Sequence, residues 1–224
     1  MSATSDPDLL TVADSCLVLS HRLSEWMSNA PTMEEDIALG NIALDLLGQA
    51  RGLLQVLGDE DELAYLRGPQ EFRNALMCEL PNGDFALTLL RLFFVSAWLE
   101  SVWPALVTSS SAPDVRGVAE KAIKENAYHL RHASTWVIRL GDGTDESHRR
   151  MTEALDALWP YRGDFATSGW YDRIEPVLAT ATLTTPDRDA WTQRSSGDGW
   201  HTEHLGYLLA EMQSLARAHP GAKW

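Results

Sequence analysis

The sequence predicts an all-α protein built around a four-helix bundle, with additional helices towards the C-terminus. Apolar residues recur three or four positions apart along most of the 224 residues, which is the period of an α-helix. Two of the predicted helices are apolar around nearly their whole circumference, which indicates burial on more than one side. A connection of about 25 residues separates these two helices, and its length suits the crossover of a ferritin-like bundle better than a tight hairpin.

The first two helices have recognisable ends. After Pro7, apolar residues from Leu9 to Trp26 follow the helical period and predict the first helix. Pro31–Thr32 then precedes an acidic first turn, and negative charge is favourable at the positive end of the helix dipole. Gly58 is a natural stop, so the second helix is expected to end there.

The middle of the chain predicts a crossover segment and two further long helices. Residues 59–83 mix charged residues, Gly and Pro with a short amphipathic piece, EFRNALMCEL, and end in the turn signal PNGD. A third helix, FALTLLRLFFVSAWLESVW, is expected to break near Pro104. The fourth is expected over about Asp114 to Leu140, before the Gly-rich sequence GDGTD.

The C-terminal part of the sequence is less regular. A fifth helix, in SHRRMTEALDALWPYR, has a clear amphipathic stripe. Residues 163–200 contain Pro176 and Pro186 and are predicted to form loop with short helices. A last helix, HTEHLGYLLAEMQSLARAH, is expected to close a single domain that covers residues 1–224.

Composition and charge argue against several functions. The formal net charge of −14 does not suit a nucleic-acid-binding protein, which needs clustered Lys and Arg. Cys16 and Cys78, the two cysteines, predict neither a disulfide framework nor a thiolate zinc site. The N-terminus has no secretory signal, and the chain lacks the run of about 18 apolar residues that a membrane span requires. We therefore expect a cytoplasmic protein.

Glutamate and histidine on the predicted fourth helix raise the question of a di-iron site. Carboxylate-bridged di-iron bundles take one Glu from each of two helices and a Glu-x-x-His pair from each of the other two. This sequence contains no Glu-x-x-His. Asp-x-x-His occurs at Asp145–His148 and Asp198–His201, but both pairs stand at Gly-rich helix starts instead of mid-helix.

The motif KENAYH comes nearest to a ligand pair. The neutral amide Asn126 stands three positions before His129, and Glu125 stands four before it. Glu125 and His129 share a helix face, so joint metal binding is geometrically possible, but a Glu–His hydrogen bond is the favoured interpretation. On the second helix, Asp45 is followed three positions later by Gly48, where a metal-binding relative would carry His.

These polar residues predict a vestigial site without metal, cofactor or catalytic function. Its members would be Asp14, Asp45, Glu125, Asn126 and His129. A lone carboxylate among apolar neighbours is costly, so Asp45 is expected to pair with Arg51, with His129 or with a helix dipole. Asp45, Glu125 and His129 are expected inside the bundle or at its edge, joined by hydrogen bonds.

A second polar cluster lies near the C-terminus. It consists of His201, Glu203, His204 and Glu211. These side chains could form an adventitious zinc site, but capping of the last helix and hydrogen bonds to neighbouring helices are the favoured interpretation.

Several motifs together resemble one family over nearly the whole chain, least over residues 141–195. They are DSCLVLSHRLSEW, ALGNIALDLLGQAR, PNGDFALTLLR, KAIKENAYHLRH, HTEHLGYLLAEMQ and the terminal PGAKW. The chain is similar in them to the C-subunit family of bacterial phenylacetyl-CoA epoxidases. The resemblance implies a subunit that has the ferritin-like fold, lacks a working metal centre and pairs with a homologous catalytic A subunit that holds the di-iron. It also implies a small B subunit and a reductase E, which passes electrons from NADPH through flavin and an iron–sulfur cluster.

Two functions remain open. The first is a structural subunit of the complex that inserts one oxygen atom of O₂ into the ring of phenylacetyl-CoA during aerobic phenylacetate breakdown. The second is a di-iron oxygenase in its own right with a non-standard ligand set. The missing Glu-x-x-His strings favour the first.

The apolar second and third helices predict a large contact with the catalytic subunit. Tryptophans would add apolar area to this contact, among them Trp26, Trp98, Trp103, Trp136 and Trp159. The alternative is that the helices after Leu140 cover these faces. The isolated chain is a possible homo-oligomer.

Overall fold

A computed structural model describes residues 8–193 and 199–222, and all regular structure in these two ranges is helical. The α-helices are α1 (Leu9–Ser24), α2 (Met33–Leu57), α3 (Glu60–Tyr65), α4 (Leu76–Glu79), α5 (Phe85–Ser109), α6 (Pro113–Gly141), α7 (Asp145–Leu158), α8 (Ser168–Thr180), α9 (Glu203–Met212) and α10 (Ser214–Ala218). Two 3₁₀ segments cover Pro69–Glu71 and Trp159–Asp164. Pro7, Asp198 and the last two residues of the PGAKW motif lie outside the described residues.

The core of the fold is a ferritin-like bundle of α1, α2, α5 and α6. Helix α1 packs along α2, α5 packs along α6, and α2 also packs along α6, which joins the two pairs. Helices α3 and α4 and the first 3₁₀ segment lie in the long connection between α2 and α5. The predicted fold class, with a long crossover in the middle of the bundle, is confirmed.

Side-chain caps set the starts of α2 and α5. The Thr32 hydroxyl accepts a hydrogen bond from the Glu35 N–H at 3.4 Å at the start of α2, and Gly58 follows the last residue of that helix. Asp84 accepts from the Leu87 N–H at 3.0 Å at the start of α5. Such caps satisfy N–H groups that have no partner within the helix.

Helix α5 does not break at Pro104, in contrast to the prediction, but continues to Ser109. Proline removes the hydrogen bond to the carbonyl four residues earlier, here that of Glu100. Pro104 and Glu100 both lie on the exposed side of α5, so this carbonyl can bond to water. The helix therefore tolerates the proline.

The prediction of loop with short helices for residues 163–200 is wrong for α8, a regular helix of 13 residues that contains Pro176. Trp170, Ile174 and Leu178 stand four positions apart and are buried against the bundle. Burial of this stripe outweighs the helix-breaking tendency of Pro176.

The predicted last helix is divided into α9 and α10 at Gln213. The side-chain amide of Gln213 is buried and donates hydrogen bonds to the carbonyls of Ala64 at 3.1 Å and Arg67 at 3.0 Å. These bonds tie the C-terminal helices to the crossover segment.

The apolar core extends from Val12 in α1 to Leu209 in α9. Helix α5 is long and apolar enough to cross a membrane, with a mean hydropathy of 1.6, but 72% of this stretch is buried inside the bundle. Helices α6, α7 and α8 pack against it. Helix α5 is thus the central core helix of the described part of the chain.

Candidate polar site at the centre of the bundle

Polar groups from all four core helices lie close to the middle of their helices. They are Cys16 in α1, Asp45 and Gln49 in α2, Ser96 in α5, and Glu125, Asn126 and His129 in α6. Their hydrogen bonds cross from one helix to the next instead of running along a single helix. This central polar site is where the vestigial site was predicted.

His129 pairs with Asp45 across the interface between α2 and α6. Its Nε2 lies 3.0 Å from Asp45 Oδ2, and the ring is fully buried while the carboxylate is about one-third exposed, at 36%. Burial lowers the pKa of His129, and this effect outweighs the opposing influence of Asp45. The imidazole is therefore neutral at pH 7, and the carboxylate acceptor places its single proton on Nε2.

Glu125 bonds to Gln49 instead of to His129, so the interpretation of a Glu125–His129 hydrogen bond is wrong. Gln49 Nε2 donates to Glu125 at 3.0 Å, and Lys121 forms an ion pair with the same carboxylate at 2.7 Å. Gln49 also accepts a weak hydrogen bond from Cys16 Sγ at 3.8 Å. Glu125 and His129 are four positions apart on α6, as Asp45 and Gln49 are on α2. The Gln49–Glu125 and Asp45–His129 hydrogen bonds therefore lie about one helical turn apart between the two helices.

Asn126 connects α6 to α5. Its Nδ2 donates to the carbonyl of Ser96 at 3.0 Å, and the side chain is only 2% exposed. Gly48 lies on the exposed side of α2, where an added Cβ would meet no atom of the described residues within 4 Å. A side chain at position 48 would therefore point away from Asn126.

Asp14 does not join the central polar site. It is fully buried and forms a double hydrogen bond with Arg67, with distances of 3.0 and 2.5 Å, and accepts from the Arg73 N–H at 2.8 Å. Burial raises the pKa of Asp14, while the bonds from Arg67 and Arg73 oppose this rise. The ion pair ties α1 to the crossover segment.

In the C-terminal cluster, His201 makes the expected hydrogen bonds to the backbone and to a neighbouring helix. His201 lies between Glu79 Oε2, at 2.8 Å, and the Phe72 carbonyl, at 2.9 Å. Glu79 is fully buried and accepts further hydrogen bonds from the Thr202 N–H at 2.5 Å and from Asn74 at 2.9 Å.

The other members of the cluster do not share this network. Glu203 and Glu211 are exposed, and the His204 N–H donates to the Thr202 hydroxyl at 3.3 Å. Of the four predicted members, His201 thus bonds to the crossover segment, and the Thr202 N–H makes a second bond from the start of α9 to Glu79.

Sequence reasoning did not identify Gln49, Glu79 and Arg67 as members of these networks. Gln49 stands four positions after Asp45 on one helix face, so helical spacing alone could have placed it beside Asp45. Glu79 and Arg67 lie in the irregular crossover, where no periodicity shows which side chains point inwards.

The side chains at the centre do not fit a di-iron ligand set. Within residues 8–193 and 199–222, no three His, Cys, Asp or Glu side chains are grouped so that they could hold a metal ion. Asn126 is neutral, and Gly48 offers no ligand atom. A di-iron bundle needs six inward-facing ligands.

These features define a class of protein, the ferritin-like bundles whose described central residues lack the di-iron ligand set. The sequence model of the family described as "Phenylacetic acid catabolic protein" matches residues 7–169 and 166–224. The chain is also 42% identical over 243 residues to the C subunit of the 1,2-phenylacetyl-CoA epoxidase of Escherichia coli (strain K12), over 96% of this chain and 97% of that protein. The chain belongs to the phenylacetic acid catabolic protein family.

Proposed function

We propose that this chain is a non-catalytic structural subunit of a multi-subunit phenylacetyl-CoA epoxidase, and that it acts in the cytoplasm in phenylacetate catabolism. Its role is to hold a homologous catalytic A subunit that contains the di-iron. A small B subunit and a reductase E with flavin and an iron–sulfur cluster complete the complex. The similarity to a protein named as part of an epoxidase supports this function. The alternative, a di-iron oxygenase in its own right, requires ligands that the described residues do not offer.

The observation that carries the proposal is the α2 outer face, which we define as Met33, Ile37 and Leu44. These side chains are 71%, 57% and 66% exposed and stand on one side of the helix. Exposed apolar side chains that adjoin one another on a monomer mark interaction sites. This face therefore suits the apolar helix face of another subunit.

Gly48, on the same side of α2, supports a close approach by a partner. Glycine inside a helix costs about 1 kcal/mol relative to alanine, so its presence needs a reason. For Gly52 the reason is internal, because an added Cβ would lie 2.7 Å from Val118 Cγ2. A Cβ at Gly48 would meet no described atom within 4 Å. Close packing of a neighbouring subunit against the backbone of α2 would explain the glycine at this position.

In contrast to the prediction, helix α5 does not contribute to this contact. Helices α6, α7 and α8 cover α5. Trp103 and Trp159 are buried in the chain's own core, so the expectation that they add to an interface is wrong. Trp26, Trp98 and Trp136 are half-buried against the same core. Helix α2, rather than α5, offers the surface for the catalytic subunit.

Co-expression with the catalytic A subunit followed by size exclusion tests the proposal. We expect the two chains to co-elute, with more than about 2,000 Å² buried between them, as in obligate complexes. Leu44→Asp should abolish co-elution, because it places a charge in an apolar interface. Leu215→Asp is the matched control, since Leu215 is a 55% exposed leucine on α10, and it should leave the complex intact.

Activity gives a second readout. Epoxidation of phenylacetyl-CoA by the A subunit with its reductase should be lost when this chain is omitted. Full turnover by the A subunit without this chain would overturn the proposed function. Circular dichroism of both leucine variants shows that a lost complex does not reflect a lost fold.

A further inference from the structure

Two buried polar atoms on α6 have neither a hydrogen bond nor an ion pair among the described residues. They are Asn126 Oδ1 and His129 Nδ1. Asn126 is 2% exposed and His129 is 0% exposed, so bulk water does not reach these side chains. The two residues are one helical turn apart and share a face of α6, which brings their side chains next to each other.

The remaining hydrogen bonds show that both atoms are acceptors. Asn126 donates to the Ser96 carbonyl, which can only accept, so its nitrogen is on that side and its oxygen is the unpartnered atom. His129 Nε2 faces the Asp45 carboxylate, which also only accepts. The proton of the neutral ring is therefore on Nε2, and Nδ1 is a bare acceptor.

Two adjacent acceptors need a small molecule that donates two hydrogens. A buried acceptor without a donor is destabilising, and buried polar groups in native proteins are matched by protein groups or by ordered water. Water has two hydrogens and is small enough for a packed interior. A metal ion does not suit the place, because no three His, Cys, Asp or Glu side chains of the described ranges are grouped so that they could hold one.

We propose that the bundle holds one internal water molecule, which donates one hydrogen to Asn126 Oδ1 and the other to His129 Nδ1. This water links the Asn126 contact with α5 to the His129 contact with α2, so it is part of the connection between the two helix pairs. Buried waters of this kind exchange slowly and are retained as part of the structure. The proposal is independent of the proposed function.

The direct test is a high-resolution crystal structure of the full chain purified in the presence of a chelator. We expect a peak about 2.7–3.2 Å from both acceptor atoms, with no anomalous signal at the iron or zinc edge. An anomalous peak between these atoms, or no peak there, would overturn the proposal.

Nuclear magnetic resonance on histidine labelled with ¹⁵N gives a solution test. We expect the Nε2–H tautomer of His129, an Nδ1 shift typical of a hydrogen-bonded acceptor, and a cross-peak from His129 to a long-lived water. Asn126→Leu should remove the cross-peak and move the Nδ1 resonance towards that of a free acceptor. Thr135→Ala, on the exposed side of α6, should change neither. A wild-type spectrum with the opposite tautomer would refute the proposal even if the Asn126 variant fails to fold.

Discussion

His201 is held by two acceptors at once, the carboxylate of Glu79 and the carbonyl of Phe72. Both ring nitrogens must therefore donate, and only the imidazolium form can do so. Burial on its own would lower the pKa of His201, but the hydrogen bonds from the ring to Glu79 and Phe72 outweigh it, and the pKa is raised. The Glu79–His201 contact is thus a charged pair that attaches the start of α9 to the crossover segment.

The raised pKa makes this contribution to stability depend on pH. Because the folded state binds the proton more tightly than the unfolded state, the stabilisation is complete below the unfolded pKa of about 6.5. It is lost as the pH rises through the folded pKa. We expect the free energy of unfolding in urea to fall for the wild type as the pH rises above about 6.5, relative to His201→Gln. Parallel curves for the two proteins across this range would contradict the charged pair.

Long-range pairing limits what could be predicted about single side chains. The sequence indicated that Asp45 needs a partner and offered Arg51 or His129, and the structure shows His129, because the packing of α2 along α6 brings them together. Arg51 instead pairs with Glu60. Asp14 was predicted to join the central polar site because it lies on a core helix. Its partner Arg67 is 53 residues away in an irregular segment, which no periodic pattern could place.

The crossover between α2 and α5 depends on the Asp14–Arg67 ion pair. Arg67→Met should lower the free energy of unfolding by about 3–5 kcal/mol, because it leaves the buried Asp14 carboxylate without its counter-charge. Arg51→Met is the matched control. It removes an exposed double hydrogen bond to Glu60, with distances of 2.7 and 2.9 Å, and should cost less than about 1 kcal/mol. Equal losses in urea unfolding would show that the Asp14–Arg67 pair does not support the crossover.

Replacing each of two glycines of α2 by alanine is expected to have opposite effects on the stability of the isolated chain. Gly52→Ala places a Cβ 2.7 Å from Val118 Cγ2, so we expect a loss of about 1–3 kcal/mol from overpacking between α2 and α6. Gly48→Ala meets open space and should stabilise the chain by up to about 1 kcal/mol through helix propensity. Thermal unfolding of both variants measures the difference. A destabilised Gly48→Ala chain would mean that the glycine has a role inside this chain.

The helices themselves were largely readable from the sequence, and the exceptions have physical reasons. Thr32 and Gly58 marked the ends of α2, because capping depends on local residues. The predicted break at Pro104 and loop around Pro176 are wrong, because a helix continues through proline where packing or solvent exposure compensates for the missing hydrogen bond. The apolar period of α8 is present in the sequence. Burial of these apolar residues stabilises the helix by more than Pro176 destabilises it.

The bundle combines a ferritin-like core with a negative net charge and the exposed α2 outer face. A net charge of −14 is favourable for solubility and complementary to a surface that carries basic residues. The networks around Asp14 and Glu79 both attach to the segment between α2 and α5. The crossover and the C-terminal helices are thus held to the bundle by two buried pairs, Asp14–Arg67 and Glu79–His201.

Iron content tests whether this fold retains any of the chemistry of di-iron bundles. We expect no stoichiometric iron in the isolated chain after anaerobic loading with Fe²⁺ and desalting, as measured by elemental analysis. The reason is that Asp45 and His129 already bond to each other, Asn126 is a neutral amide that bonds to Ser96, and position 48 has no side chain. The catalytic A subunit, loaded in the same way, is the control for the procedure. A result of about two irons per chain, which a carboxylate-bridged site would hold, would show that side chains rearrange to bind metal and that the structural role is wrong.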